Sequence, residues 1–177
     1  MSRVALFWRV SASVSTATAI MPKYGFRAVH TKQEVHNAFQ AWHLRIHQAT
    51  VTTLQYIGER CVAQARENGS YQDRTGNLRN SIGYVVVAHG SIISQNFAER
   101  VNGKVASEVN GMQEGIKVAE QLAASVGRGY ALIVVAGMHY ALYVESRNYD
   151  VLDSAERLAE QIVPDMLRQL KSKVAQL

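Results

Sequence analysis

The longest regular pattern in the chain is helical. Val35, Phe39, Trp42, Ile46 and Ala49 recur at steps of three and four, and Leu54, Ile57, Cys61 and Ala65 continue the face with a slow drift. Thr31 with Glu34 reads as a capping box, and Asn68-Gly69 as a stop. A helix between them would be about 55 Å long at 1.5 Å per residue. The β-branched run Thr50-Val51-Thr52-Thr53 predicts a break near its middle. After a polar, turn-rich stretch, Tyr84–Ala88 and Ser91–Phe97 read as two strands joined at His89-Gly90, a β-hairpin. A loop over 98–111 follows. The helical period then returns from Met112 to Val126 through Ile116, Ala119 and Leu122, with Gly127 as its stop. Tyr130–Ala136 is a continuous apolar run, expected to be a buried strand, and His139–Glu145 a further strand or short extended segment. Ala155, Leu158, Ile162, Met166, Leu170 and Val174 mark a C-terminal helix in which Pro164 predicts a kink. The order predicts an α+β fold: a long N-terminal helix, a small, mostly antiparallel sheet with a β-hairpin, a middle helix and a C-terminal helix.

Composition changes this picture mainly at the N-terminus. Of the net charge of +5, residues 1–30 hold Arg3, Arg9, Lys23 and Arg27 with no acid, which leaves +1 for the rest. Ala17-Thr18-Ala19 resembles a signal-peptidase site, but the apolar stretch before it is short and interrupted by Arg9; the acid-free composition also fits a mitochondrial presequence. Met21-Pro22-Lys23 reads as a natural start. The expectation is that residues 1–30 form a flexible or non-native extension, with residues 1–20 outside the fold, and that 31–177 form one domain. The near-neutral body lacks the basic face of a duplex-binding domain and offers only short clusters such as Arg168, Lys171 and Lys173. No stretch approaches the roughly 20 apolar residues that span a bilayer, so no membrane role is expected.

Candidate chemistry is sparse. His36, His43 and His47 share one helix, and His43 and His47 stand at i and i+4, where they could share a metal. No third ligand stands at motif spacing. Neither a GxSxG elbow nor a P-loop is present. Cys61 sits mid-helix on the apolar side, as a small hydrophobe rather than a nucleophile. Asp150 and Asp153 suit a helix N-terminus. Glu145 could be an edge residue, an inter-subunit contact or a catalytic acid, the last ranked lowest because no partner is apparent. Tyr130, Tyr140, Tyr143 and Tyr149 crowd one region, a pattern of interfaces as much as of strands. No catalytic, cofactor-binding or metal-binding residue is assigned, and no cofactor is expected.

Two segments carry a resemblance. Asp73-Arg74-Thr75-Gly76-Asn77-Leu78-Arg79-Asn80-Ser81-Ile82 precedes a valine-rich hairpin, and Tyr140-Ala141-Leu142-Tyr143-Val144-Glu145 follows a strand. They resemble the "TGxLRxSI" and "YAxYVE" motifs of the neck and tail-completion (head–tail joining) family of long-tailed bacteriophages, over residues 30–175. Many members follow the glutamate with a Gly-Thr turn. Here Ser146-Arg147-Asn148-Tyr149 follows, then Asp150-Val151-Leu152, which marks a divergent subgroup.

The resemblance implies a non-enzymatic virion protein, assembled in the bacterial cytoplasm. It would form a homo-oligomeric ring between connector and tail, touching adjacent neck, connector and tail proteins, with transient, sequence-independent contact to genomic DNA in the lumen. Leu78 and Ile82 are expected in the core. Arg74 and Arg79 are expected to lie exposed beside the hairpin base, and Tyr140, Tyr143, Glu145 and Arg147 to join them at a subunit or partner interface. Two other readings are a small metal-dependent enzyme using His43 and His47, and a tail assembly factor absent from the virion.

Overall fold

The computed structural model describes residues 4–10 as a backbone strand, together with residues 29–99 and 101–176. It is α+β. Helix α1 (Lys32–Asn68) is followed by the short α2 (Asn77–Asn80), the hairpin β2 (Ile82–Ala88) and β3 (Ser91–Asn96), α3 (Gly111–Ala123), β4 (Tyr130–Ala136), α4 (Ala141–Ser146) and α5 (Asp153–Ala175). A strand β1 (Val4–Val10) precedes them. The sheet order is β1-β4-β2-β3, and every pair is antiparallel.

The two central strands explain the layering. All seven residues of β2 are buried, and so is all of β4 after Tyr130. A strand turns alternate side chains to opposite faces, so such a strand needs cover on both. Ile82, Tyr84, Val86, Leu132, Val134 and Ala136 face the larger core with α1 and α5. Val85, Val87, Ala131, Ile133 and Val135 face the smaller one, with Val118, Ala119 and Ala123 of α3. The result is three layers: two long helices, the sheet, and one helix.

Local chemistry sets the elements. Thr31 and Glu34 form the expected capping box on α1. The hairpin turns at His89 and Gly90, with φ of 51° and 83°, the positive values that a two-residue turn demands. A bulge between Val86 and Val87 shifts the register against β3. Arg66 reaches from α1 to the carbonyls of Ile82 and Ala98, at 2.6 and 3.2 Å, and holds both ends of the hairpin. Glu59 accepts hydrogen bonds from Tyr84 Oη and Asn96 Nδ2, and Gln55 donates to Ser94 Oγ, so β3 is held to α1 by polar contacts.

The structure departs from the sequence reading at four places. Helix α1 does not break at its threonines: Leu54 and Ile57 pack in the core beneath α5, which outweighs the low propensity of the run, and the hydroxyls of Thr50 and Thr53 donate to the carbonyls of Ile46 and Ala49, each at 2.8 Å. The middle helix stops at Ala123, before Val126 and Gly127. His139–Glu145 is not a strand; its second part is α4, a helical turn whose Ala141 is buried. Finally, Val4–Val10 pairs along β4, with Val4 opposite Ala136 and Val10 opposite Tyr130. Part of the segment expected to lie outside the fold therefore extends the sheet, and supplies partners for backbone groups that β4 would otherwise leave open. Ala17–Ala19 and the start at Met21 lie outside the described residues. Pro164 falls inside α5, which is helical on both sides of it.

The pairing of β1 predicts that a chain beginning at Met21 exposes the second edge of β4. Alternate amides between Ala131 and Ala136 should then exchange with solvent much faster than in the full chain, as read by NMR. Unchanged protection would show that β1 adds nothing to the sheet.

Candidate functional site

The two motif segments meet in one corner of the fold. Asp73–Ser81 leaves the end of α1 and turns sharply into β2. Gly76 has a φ of +76°, where a side chain is strained, and a Cβ there would stand 2.6 Å from the carbonyl oxygen of Val101. Thr75 Oγ1 accepts from Asn77 N at 3.4 Å, and Asp73 Oδ2 accepts from Arg79 N at 3.2 Å, so two side chains close the turn. Leu78 and Ile82 enter the core, at 2% and 0% exposure, as their spacing predicts. Asn80 donates to the carbonyl of Val101 and accepts from its N–H, at 2.8 and 3.0 Å, while Asn77 donates to Ser107 Oγ. The polar residues of the first motif thus fasten the loop after β3.

Ser81 ties this turn to the second motif. Its side chain is buried and donates to Leu78 O at 2.7 Å; its carbonyl accepts from Gly137 N at 3.2 Å, and its hydroxyl lies 3.4 Å from Met138 N. The chain leaving β4 is therefore fixed to the first motif just before α4 begins. Tyr140 and Val144 then line a cleft of about 240 Å³ with Tyr71, Asp73, Arg74, Thr75 and Leu78. Burial pushes the Tyr140 phenol up, a rise offset in part by its hydrogen bond with Thr75. Burial likewise pushes the Tyr71 phenol up to about 12.

The six expected interface residues divide into two kinds. Arg74 is exposed at the rim of this cleft. Tyr143 is 60% exposed on the outer side of α4, where the Arg147 guanidinium stands 5.0 Å above its ring and donates to its hydroxyl at 2.7 Å. Tyr140 is half-buried, as described. Arg79, expected at the surface, is half-buried instead. Its guanidinium donates to Gly69 O at 3.3 Å and lies 5.6 Å from the Tyr71 ring centre, so it closes the end of α1. Glu145 is half-buried and turned inward, where it accepts from Leu152 N at 3.1 Å at the start of α5. Burial raises its carboxyl above the ordinary range; the Leu152 hydrogen bond lowers it, and Asp153 and Asp150 raise it.

Asp73, Asn77, Asn80 and Ser81 went unassigned in the sequence. Each is a polar residue between two core positions, and that was the available signal that their partners would be internal.

The histidines lie elsewhere. His36 bonds Gln40, and His47 Nδ1 lies 2.7 Å from Tyr130 Oη. Among the described residues, no group of three or more His, Cys, Asp or Glu side chains is placed to hold a metal ion. Cys61 is fully buried, where it packs as a small hydrophobe, and burial pushes its thiol up to about 11. No described helix is long and apolar enough to cross a membrane. Comparison with family models, with curated proteins and with solved structures finds no match to this chain.

The packing of this corner can be tested at Leu78. Leu78→Ala should lower unfolding stability by about 2–5 kcal/mol, measured by urea denaturation, as for a buried leucine. A change near zero would show that the turn is not anchored. Its electrostatics can be tested at Glu145, whose folded carboxyl titrates above its ordinary value of 4.5. The contribution of this group is therefore fully present below 4.5 and is lost as pH rises through the folded value. Glu145→Gln keeps an acceptor for Leu152 without the charge. Its melting temperature, relative to the native protein, should rise between acidic pH, below the ordinary carboxyl value, and neutral pH. A constant or falling difference would show that the buried carboxylate carries no net penalty.

Proposed function

We propose that this protein is a structural, non-enzymatic ring subunit of the neck of a tailed bacteriophage, joining the head connector to the tail. One observation carries the reading. The two segments that resemble the head–tail joining family are 58 residues apart from Ile82 to Tyr140, yet they share one corner, tied through Ser81 and opening outward at Arg74, Tyr143 and Arg147. The inner residues of both motifs fasten the fold, and the outer ones form an exposed aromatic and cationic surface. Such a surface suits protein contact, because tyrosine and arginine join apolar area to hydrogen bonding. Binding strength in this reading comes from a contact repeated around a closed ring, and DNA passes through the lumen without sequence recognition.

Imaging of purified particles tests the location: the chain should stand in a ring between connector and tail tube, and its absence from that position would sink the proposal. The outward residues give a second test. Because Arg79 is internal, the informative variant is Arg74→Glu with Arg147→Glu. The monomer should fold normally, and a phage carrying only this variant should accumulate filled heads and separate tails. Normal infectious particles from that phage would show that the corner is not an interface.

A further inference from the structure

The core-facing stripe of α1 runs on past the body of the protein. Residues 31–41 are exposed throughout, and this segment carries Val35 and Phe39, which are 53% and 66% exposed. Trp42 and Ile46, on the same face, are only half-covered, and full burial begins at Thr50. The reason is length. Helix α5 starts beside the far end of α1, where Asp150 N donates to Ser70 Oγ, and runs back along it. Its 23 residues reach about 34 Å at 1.5 Å per residue, against about 55 Å for the 37 residues of α1. Among the described residues, the first turns of α1 have no neighbouring element.

A second apolar surface stands at the opposite end. Leu142, Tyr143 and Tyr149 are 41%, 60% and 48% exposed around α4 and its turn. Arg147 stands over the Tyr143 ring, and beside it lies a cleft of about 460 Å³ lined by Glu145, Asp150, Asp153 and Glu156 with Arg157, so that acids outnumber bases at this end. The other end is basic on balance: Lys32 and Arg45 flank the projecting stripe beside the acidic Glu34, and α5, ending short of the stripe, adds Lys171 and Lys173 next to an Arg168 that is paired with Asp165. From Phe39 to the end of α1 is about 44 Å along the helix, so the two surfaces cannot meet within one chain.

We infer that the projecting first half of α1 in one copy docks on the α4–α5 corner of a second copy, head to tail. The occupant is a second copy because one chain carries both halves, apolar against apolar and basic against acidic, on opposite ends. Such a contact is heterologous, and repetition closes a ring if each step adds the right rotation. The inference rests on the ring reading for that closure only; the pairing of the two surfaces is independent of any virus.

Cross-linking tests it in the purified full-length protein. Phe39→Cys is placed in one preparation and Tyr143→Cys in another; both sites are exposed, so neither change should disturb folding, and the native Cys61 is buried. With a short bis-maleimide, the mixture should give a cross-linked dimer several-fold faster than either preparation alone. A chain carrying both substitutions should give a ladder of multimers. Dimers that form as fast within the Phe39→Cys preparation alone, or within the Tyr143→Cys preparation alone, would replace the head-to-tail contact with a symmetric one and overturn the inference. So would the absence of any cross-link in the mixture at the highest concentration the protein tolerates. A neck ring seen in particles without this cross-link would refute the pairing and leave the proposed function standing. The cross-link in a protein absent from particles would do the reverse.

Discussion

Neither β2 nor β4 has a face turned to water, and the rest of the fold answers that condition. Their backbone groups are paired across the sheet, and valine, isoleucine and leucine point both ways. Each face then needs a helical layer, which explains why a small sheet carries α1 and α5 on one side and α3 on the other. The polar residues at the ends of these strands solve the remaining problem of where the chain goes next. Arg66 fixes the start of β2 and the end of β3, and Ser81 joins the entry of β2 to the exit of β4. A half-buried arginine or a buried serine is tolerated at such places because its own polar groups find backbone partners.

The elements with a long or uniform signal were legible in the sequence. Helix α1 announces itself through its stripe and capping box, the hairpin through His89-Gly90, and β4 through an unbroken apolar run. What was not legible depended on context. Tyr140–Glu145 is only six residues long and mixes apolar and polar positions in a way that fits a strand or a single helical turn. The tether of Gly137 to Ser81 decides in favour of the turn, and that contact joins residues 56 positions apart. Val4–Val10 lacks flanking turn signals, and Arg9 weakens its apolar run; only the open edge of β4 gives it a role.

The candidate site shows the same division. A motif read from sequence does not say which of its residues face inward. Arg74 and Arg79 share one short segment and one charge, yet one is at the surface and the other closes the end of α1 over Tyr71. Glu145 sits beside exposed tyrosines but commits its carboxylate to a backbone N–H of α5. Much of what makes the motif recognisable is the chemistry of a tight corner, and the outward residues are carried by that corner.

The edge formed by β3 has a consequence for the proposed ring, in which many copies would stand side by side. An open strand edge is a template on which further strands can add, and crowded identical chains are the worst case. Here the pairing of β3 with β2 is interrupted by the bulge at Val86–Val87, which increases local twist. The strand's own residues are Ser91, Ser94, Gln95 and Asn96 around two isoleucines, with Ser94 and Asn96 already engaged by α1. A flat, apolar edge would invite fibrils during synthesis; the β3 edge resists sheet-to-sheet growth.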